Sequence, residues 1–221
     1  MKNFNCARCV TMLELNVLYE MSALISDHQK LEESAEKSLE ILRKTLHLEN
    51  CVIYTLNEDL LTIFASINFN KQQKFMSEYK LGEGATGLAA ESKEPIVIEN
   101  IHNDMLFLNK SGNRTRQTIS YVAVPMMIEN EVVGVIAANL TKQTEVDLEE
   151  TIRILSIAST LYAHAISSHK MVQQEKERLK ELKLYYKMEW DAKVHNFGDI
   201  IGDSPKMNQV FQVVERIAQS N

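Results

Sequence analysis

The sequence predicts an α+β fold: a six-stranded antiparallel sheet preceded by N-terminal helices and followed by a long C-terminal coiled-coil helix. Three observations lead there. Residues 12–46 hold two runs of helical period, residues 51–139 hold six short strand-like runs, and Val146 to about Val194 keeps a helical period without Pro or Gly.

Each element has its own signal. From Met12 to about Ile25, Leu13, Leu15, Val17, Leu18, Met21, Leu24 and Ile25 cover much of a helix circumference, as expected of a helix buried on its own domain and on a second chain. Ser26-Asp27 breaks it, and Leu31, Ala35, Leu39, Leu42 and Leu46 then mark an amphipathic helix. After Glu49-Asn50 the period changes. Residues 51–56 read as a strand, 57–59 as a turn and 60–66 as the hairpin partner. Phe75 to Leu81 reads as a weaker strand, Leu88 to Glu91 as a short helix and residues 95–98 as a brief strand. Glu99 to Thr118 is polar and irregular. Ser120 to Ile128 and Glu131 to Asn139 form a second hairpin about Glu129-Asn130. In the exit helix, Ile154, Ala158, Leu161, Ala165, Val172, Leu179, Leu182 and Tyr186 follow a 4–3 alternation, with Ser168 and Glu175 as polar interruptions. That is a coiled-coil seam, read as parallel pairing of two chains. Finally, Ser204-Pro205 is an N-cap followed by a first helical residue, and Met207, Val210, Phe211, Val214 and Ile217 continue at helical spacing.

Composition narrows the function. Of 221 residues 45% are hydrophobic, enough for a packed core. No apolar run approaches the ~18–20 residues of a membrane span, and no signal-peptide pattern opens the chain, so the expected location is cytoplasmic and away from membranes. Thirty acids against 24 bases give a net charge of −6, which argues against this segment gripping DNA phosphates. Cys6, Cys9 and Cys51 make no disulfide framework. Cys6 and Cys9 have metal-ligand spacing, but no second pair completes four ligands, so they are weak metal candidates. His102 beside Asp104 is not a metal site by itself. No nucleophile–base pair or carboxylate pair stands out, so an enzyme is not expected. Gly82, Gly84 and Gly87 lack the preceding buried strand of a dinucleotide loop and read as tight turns.

Taken as a set, Leu81-Gly82-Glu83-Gly84-Ala85-Thr86-Gly87-Leu88-Ala89, Pro95-Ile96-Val97-Ile98-Glu99-Asn100, and Tyr121 to Met126 followed by Glu131 to Ile136 resemble the GAF family of sensory domains. The string Ile200-Ile201-Gly202-Asp203-Ser204-Pro205-Lys206-Met207 resembles the opening of the AAA+ domain of sigma-54-dependent transcriptional activators. Residues 104–121 look most like the nitrogen-fixation activators of the NifA type. The resemblance implies a leader over residues 1–11, a GAF domain over 12–170, a helical linker over 171–198 and the start of an AAA+ domain over 199–221. The phosphate-cradling G-x-x-x-x-G-K-[ST] loop does not occur, so ATP and magnesium are expected only in a further domain, and the sequence reads as a piece of something longer. Sigma-54 RNA polymerase and promoter DNA would be met through such domains, with a regulatory protein as a further partner and a homodimer as the assembly.

The resemblance also implies a ligand. Some GAF domains of this group respond to 2-oxoglutarate, and some relatives depend on N-terminal cysteines thought to hold an iron–sulfur cluster. A carboxylate ligand requires cations, and Arg114 and Arg116 precede a central strand, with Thr118, Ser120 and Tyr121 adding hydroxyls. Two alternatives stand beside ligand sensing: a dimerisation and protein-docking module, or an iron or redox sensor using Cys6 and Cys9, with Cys51 as a further candidate.

Overall fold

The computed structural model describes residues 7–25, 30–67, 69–102, 104–110, 118–141, 148–194 and 204–218. The chain divides into two compact units, Met1–Lys170 and Met171–Asn221. The first is built on one antiparallel sheet of six strands: β1 (Leu48–Asn57), β2 (Leu60–Ser66), β3 (Tyr79–Lys80), β4 (Ile96–Ile98), β5 (Thr118–Ile128) and β6 (Glu131–Thr141). Their order is β3-β2-β1-β6-β5-β4. The two predicted hairpins are thus its centre.

Alternation along the strands gives the sheet two buried faces. Cys51, Ile53, Val122, Val124, Ile136 and Ala138 point to the first. They pack with α1 (Ala7–Ile25), α2 (Leu31–Thr45) and the beginning of α5 (Leu148–Val194). From α2 the core takes Leu31, Ala35, Leu39 and Leu42, the apolar stripe read from the sequence. Val52, Tyr54, Tyr121, Ala123, Val135 and Ala137 point to the second face, covered in part by α4 (Gly84–Ser92) through Ala85, Ala89 and Ala90.

Three elements depart from expectation. The strand expected over Phe75 to Leu81 shrinks to β3, because residues before it form a short helix, α3 (Lys71–Met76). Asn70 Oδ1 accepts from Gln73 N at 2.8 Å and Gln73 Oε1 accepts from Asn70 N at 2.9 Å. This capping box satisfies orphan donors at the helix start and holds Phe75 and Met76 in helical geometry. Second, α1 begins at Ala7, five residues ahead of Met12. Val17 and Met21 are buried, whereas Leu15 and Tyr19 are exposed.

The third departure concerns the seam of α5. Ile154, Ala158 and Ala165 are buried within the first unit's own core, and Leu161 is half-buried against it. That part of the 4–3 pattern is therefore received at least in part by the first unit's own core. Tyr162 lies fully buried beside it, its hydroxyl hydrogen-bonded to Ser38 Oγ. Further along, Val172, Leu179, Leu182 and Tyr186 are exposed. In the second unit, α6 (Pro205–Ala218) starts as read: Met207 N donates to Ser204 Oγ at 3.2 Å.

Candidate ligand cavity

On the second sheet face, the end of the central strands is left uncovered by α4. There Asn50, Val52 and Tyr54 of β1, Ala137 and Asn139 of β6 and Tyr121 of β5 form the floor of a cavity. Phe69, Tyr79 and the loop residues Phe107, Leu108 and Asn109 close over it. The space measures about 350 Å³ including its open mouth, of which about 20 Å³ is available to the centre of a water molecule. That is room for about one water. In this conformation the aromatic walls are nearly shut.

The walls brace one another. Tyr54 and Tyr79 meet edge to face with ring centroids 5.7 Å apart, and Phe107 meets Tyr121 at 5.2 Å. Tyr121 and Thr86 share a buried hydroxyl–hydroxyl bond of 2.7 Å, which ties β5 to α4. Tyr79 donates its hydroxyl to the Leu108 carbonyl at 3.1 Å. Burial pushes the phenols of Tyr54 and Tyr121 well above their usual range and that of Tyr79 up to about 12, so all three stay neutral.

The loop over the cavity is held by the glycine run. Ala85 N donates to the Leu106 carbonyl at 2.9 Å. Gly84 has φ +61°, and a Cβ there would meet the Leu108 side chain at 2.9 Å. Only glycine lets the loop settle so closely. Lys110 completes the attachment: its ammonium pairs with Glu83 at 2.5 Å, donates to the Glu78 carbonyl at 2.6 Å and lies 4.6 Å from the centre of the Tyr79 ring. The Lys110 hydrogen bond, with the Lys80 amide next, holds the Glu83 carboxyl below its usual range.

Of the residues singled out from sequence, Tyr121 lines the cavity. Ser120 is half-buried and donates to the Glu99 carbonyl at 2.9 Å, bonding the end of β4. Thr118 starts β5, with its side chain outside the described residues, and Arg114 and Arg116 lie outside them altogether. Cys6 is likewise outside; Cys9 falls within α1, its side chain undescribed. Among the described residues no His, Cys, Asp and Glu cluster could hold a metal ion. Asn50 and Asn139 escaped the sequence reading because both looked like strand boundaries. Their signal was a carboxamide beside an apolar strand run, a position that becomes polar wall if the strand continues.

No helix among the described residues is long and apolar enough to cross a membrane. Known proteins resemble this chain along nearly all of it. A Nif-specific regulatory protein of Herbaspirillum seropedicae is 27% identical over 215 residues, covering 94% of this chain and 39% of the relative. The nitrogen fixation protein VnfA of Azotobacter vinelandii is 24% identical over 212 residues, covering 93% and 40%. The chain therefore spans about two fifths of the length of these relatives. Among solved structures, the "A. Aeolicus nlh2 gaf domain in an inactive state" superposes with a TM-score of 0.63 at 24% identity, over 72% of this chain and 98% of that one. The GAF domain of a phosphoenolpyruvate-protein phosphotransferase from Coxiella burnetii gives 0.65 at 17% identity, over 74% and 98%. The GAF domain family itself matches residues 30–166, the span that carries the sheet, the glycine run and the cavity, and the chain belongs to that family.

Proposed function

We propose that this chain is the signal-receiving regulatory segment of a sigma-54-dependent activator of nitrogen fixation, acting in the cytoplasm. The observation that carries this reading is the likeness to Nif-specific regulators over more than nine tenths of the chain, through the exit helix as well as the GAF domain. The segment has no catalytic step of its own; ATP hydrolysis, magnesium, promoter DNA and sigma-54 polymerase belong to the rest of the protein. Its input is a small molecule held in the cavity under residues 104–110. Its output passes along α5. The exposed stripe of Val172, Leu179, Leu182 and Tyr186 is the surface through which two copies pair.

The test is transcription in vitro from a sigma-54 promoter by the full-length protein and by a form lacking residues 1–170. The parent should respond to cell extract containing the signal, and the shortened form should be insensitive to it. Equal response by both would overturn the reading.

A second reading, a docking and dimerisation module without a small ligand, draws on the narrowness of the cavity. It predicts that cavity variants leave regulation intact while surface variants on α1 or α5 abolish it. The iron or redox alternative rests on Cys6 and Cys9 alone. Cys51 is fully buried, and burial pushes its thiol up to about 12, which suits neither ligation nor exchange.

A further inference from the structure

The piece of loop that nearly shuts the cavity is fastened at alternate residues. Leu106 accepts from the Ala85 amide at 2.9 Å, and Leu108 accepts from the Tyr79 hydroxyl at 3.1 Å. The Lys110 ammonium pairs with Glu83 at 2.5 Å and donates to the Glu78 carbonyl at 2.6 Å. Between these points Phe107 and Asn109 line the cavity. All three fastenings reach residues 78–85, where β3 turns into α4. One edge of the loop is thus tied along one turn, and the other covers the space beneath.

Apolar burial does little to keep it there. Met105 is 95% exposed and Leu106 44%, and Phe107 is only partly buried. A segment with so little buried surface opens locally, well below the cost of global unfolding. Directional contacts then decide how often it opens, and the strongest kind is at Lys110. Its ammonium makes two charge-assisted contacts and lies 4.6 Å from the centre of the Tyr79 ring. Glu83 is oriented for it: Oε1 takes the ammonium while Oε2 accepts from the Lys80 amide at 2.9 Å. The two side chains remain 26% and 36% exposed. Salt therefore screens the pair, and it can part without leaving a buried charge.

We propose that residues 104–110 are a strap across the cavity and that Lys110 is its releasable fastener, so that parting from Glu83 and Glu78 opens the cavity while the sheet stays folded. The strap is a property of the fold. Its use as the gate for a signal rests on the sensing role above.

Amide exchange read by NMR on the 221-residue chain tests it. The Ala85 amide reports opening, because its partner is the Leu106 carbonyl across the strap. In Lys110→Met, Ala85 should exchange about five-fold faster or more, with the central amides of β1 and β6 within about two-fold of the parent. Raising sodium chloride from about 0.02 to about 0.5 M should speed Ala85 exchange in the parent and leave it unchanged in Lys110→Met. If Lys110→Met does not fold, Glu83→Gln carries the same test, since it removes the charge and keeps an acceptor for the Lys80 amide. Unchanged Ala85 exchange in the folded variant overturns the proposal. So does equal acceleration of Ala85 and the central strands, which would make Lys110 an ordinary contributor to global stability. Failure of the sensing role is seen separately, in regulated transcription that survives loss of residues 1–170.

Discussion

Tyr121 serves two structures at once, its ring forming cavity wall against Phe107 and its hydroxyl reaching Thr86 on α4. Thr86 is 2% exposed and its side chain also hydrogen-bonds Tyr79, so removing the Tyr121 hydroxyl takes one of its two partners. Tyr121→Phe should therefore cost about 0.5–1.5 kcal/mol in urea unfolding; an unchanged stability would show that the Tyr79 bond satisfies Thr86 by itself. The buried acids that stay protonated give a second expectation. Cys51 and Tyr79 are held up to about 12, and Tyr54, Tyr121 and Tyr162 are also raised by burial, whereas unfolded thiols and phenols ionise near about 8.5 and 10. With the folded pKa above the unfolded one, this stability is fully present below about pH 8 and is lost as pH rises toward about 12. The urea midpoint should fall between pH 7.5 and pH 10.5, and a flat or rising midpoint would contradict these burials. In the same samples, Cys51 should resist thiol reagents until the protein unfolds.

At the scale of elements, α5 is divided by its neighbours. Ala158 is fully buried in the first unit's core, whereas Leu182 is 47% exposed. A charge at the first site must be buried or the helix must leave the sheet; a charge at the second meets solvent unless another chain covers it. Ala158→Asp should thus unfold the domain by circular dichroism. Leu182→Glu should keep its melting temperature near the parent's and convert dimers to monomers in light scattering. A dimeric Leu182→Glu would remove the coiled-coil stripe from the proposed interface. A periodicity scan of sequence could find this helix but could not divide it, since the 4–3 spacing is the same whether a sheet or a second helix receives it. The hairpins were legible because turn residues separated period-2 runs, and both Glu58 and Glu129 adopt left-handed φ of 53° at those turns. The α3 segment was not, because Phe75, Tyr79 and Leu81 alternate well enough to imitate a strand while the Asn70–Gln73 capping box selects a helix. The backbone strain at Glu129 offers a direct check: Glu129→Gly should raise stability by about 0.5–1 kcal/mol, less than the strain relieved because glycine also enlarges the unfolded ensemble.

For the whole molecule, the proposed sensing role asks how an event in the cavity would reach a further domain. Tyr121 of the cavity was legible in sequence because it sits in a recognisable closing hairpin; Asn50, Asn139 and Phe107 meet it only through strand register and loop return, which no local pattern encodes. Sheet and exit helix, however, share one core. Cavity-facing Tyr121, Val52 and Ala137 alternate along their strands with Val122, Cys51 and Ala138, which pack in the same core as Ile154 and Ala158 of α5. A ligand that displaces the cavity face can therefore bias α5, provided the helix has two arrangements with different ligand affinity. The polar interruptions make the distal helix the natural bistable element: Ser168 and Glu175 occupy seam positions between apolar residues, and Glu175 is exposed, its nearest ion pair a 3.7 Å contact with exposed Arg178. Such a pair adds little, so a paired seam would be weakest there. Replacing Ser168 by Ile and Glu175 by Leu fills the seam and should hold two helices in one register. In the full-length protein this double variant should keep basal ATPase activity within about two-fold while losing most of its response to the signal, because a signal shifts only an equilibrium that both states populate. A double variant that responded as the parent does would make α5 a passive tether, and the signal would then have to leave the GAF domain by another surface.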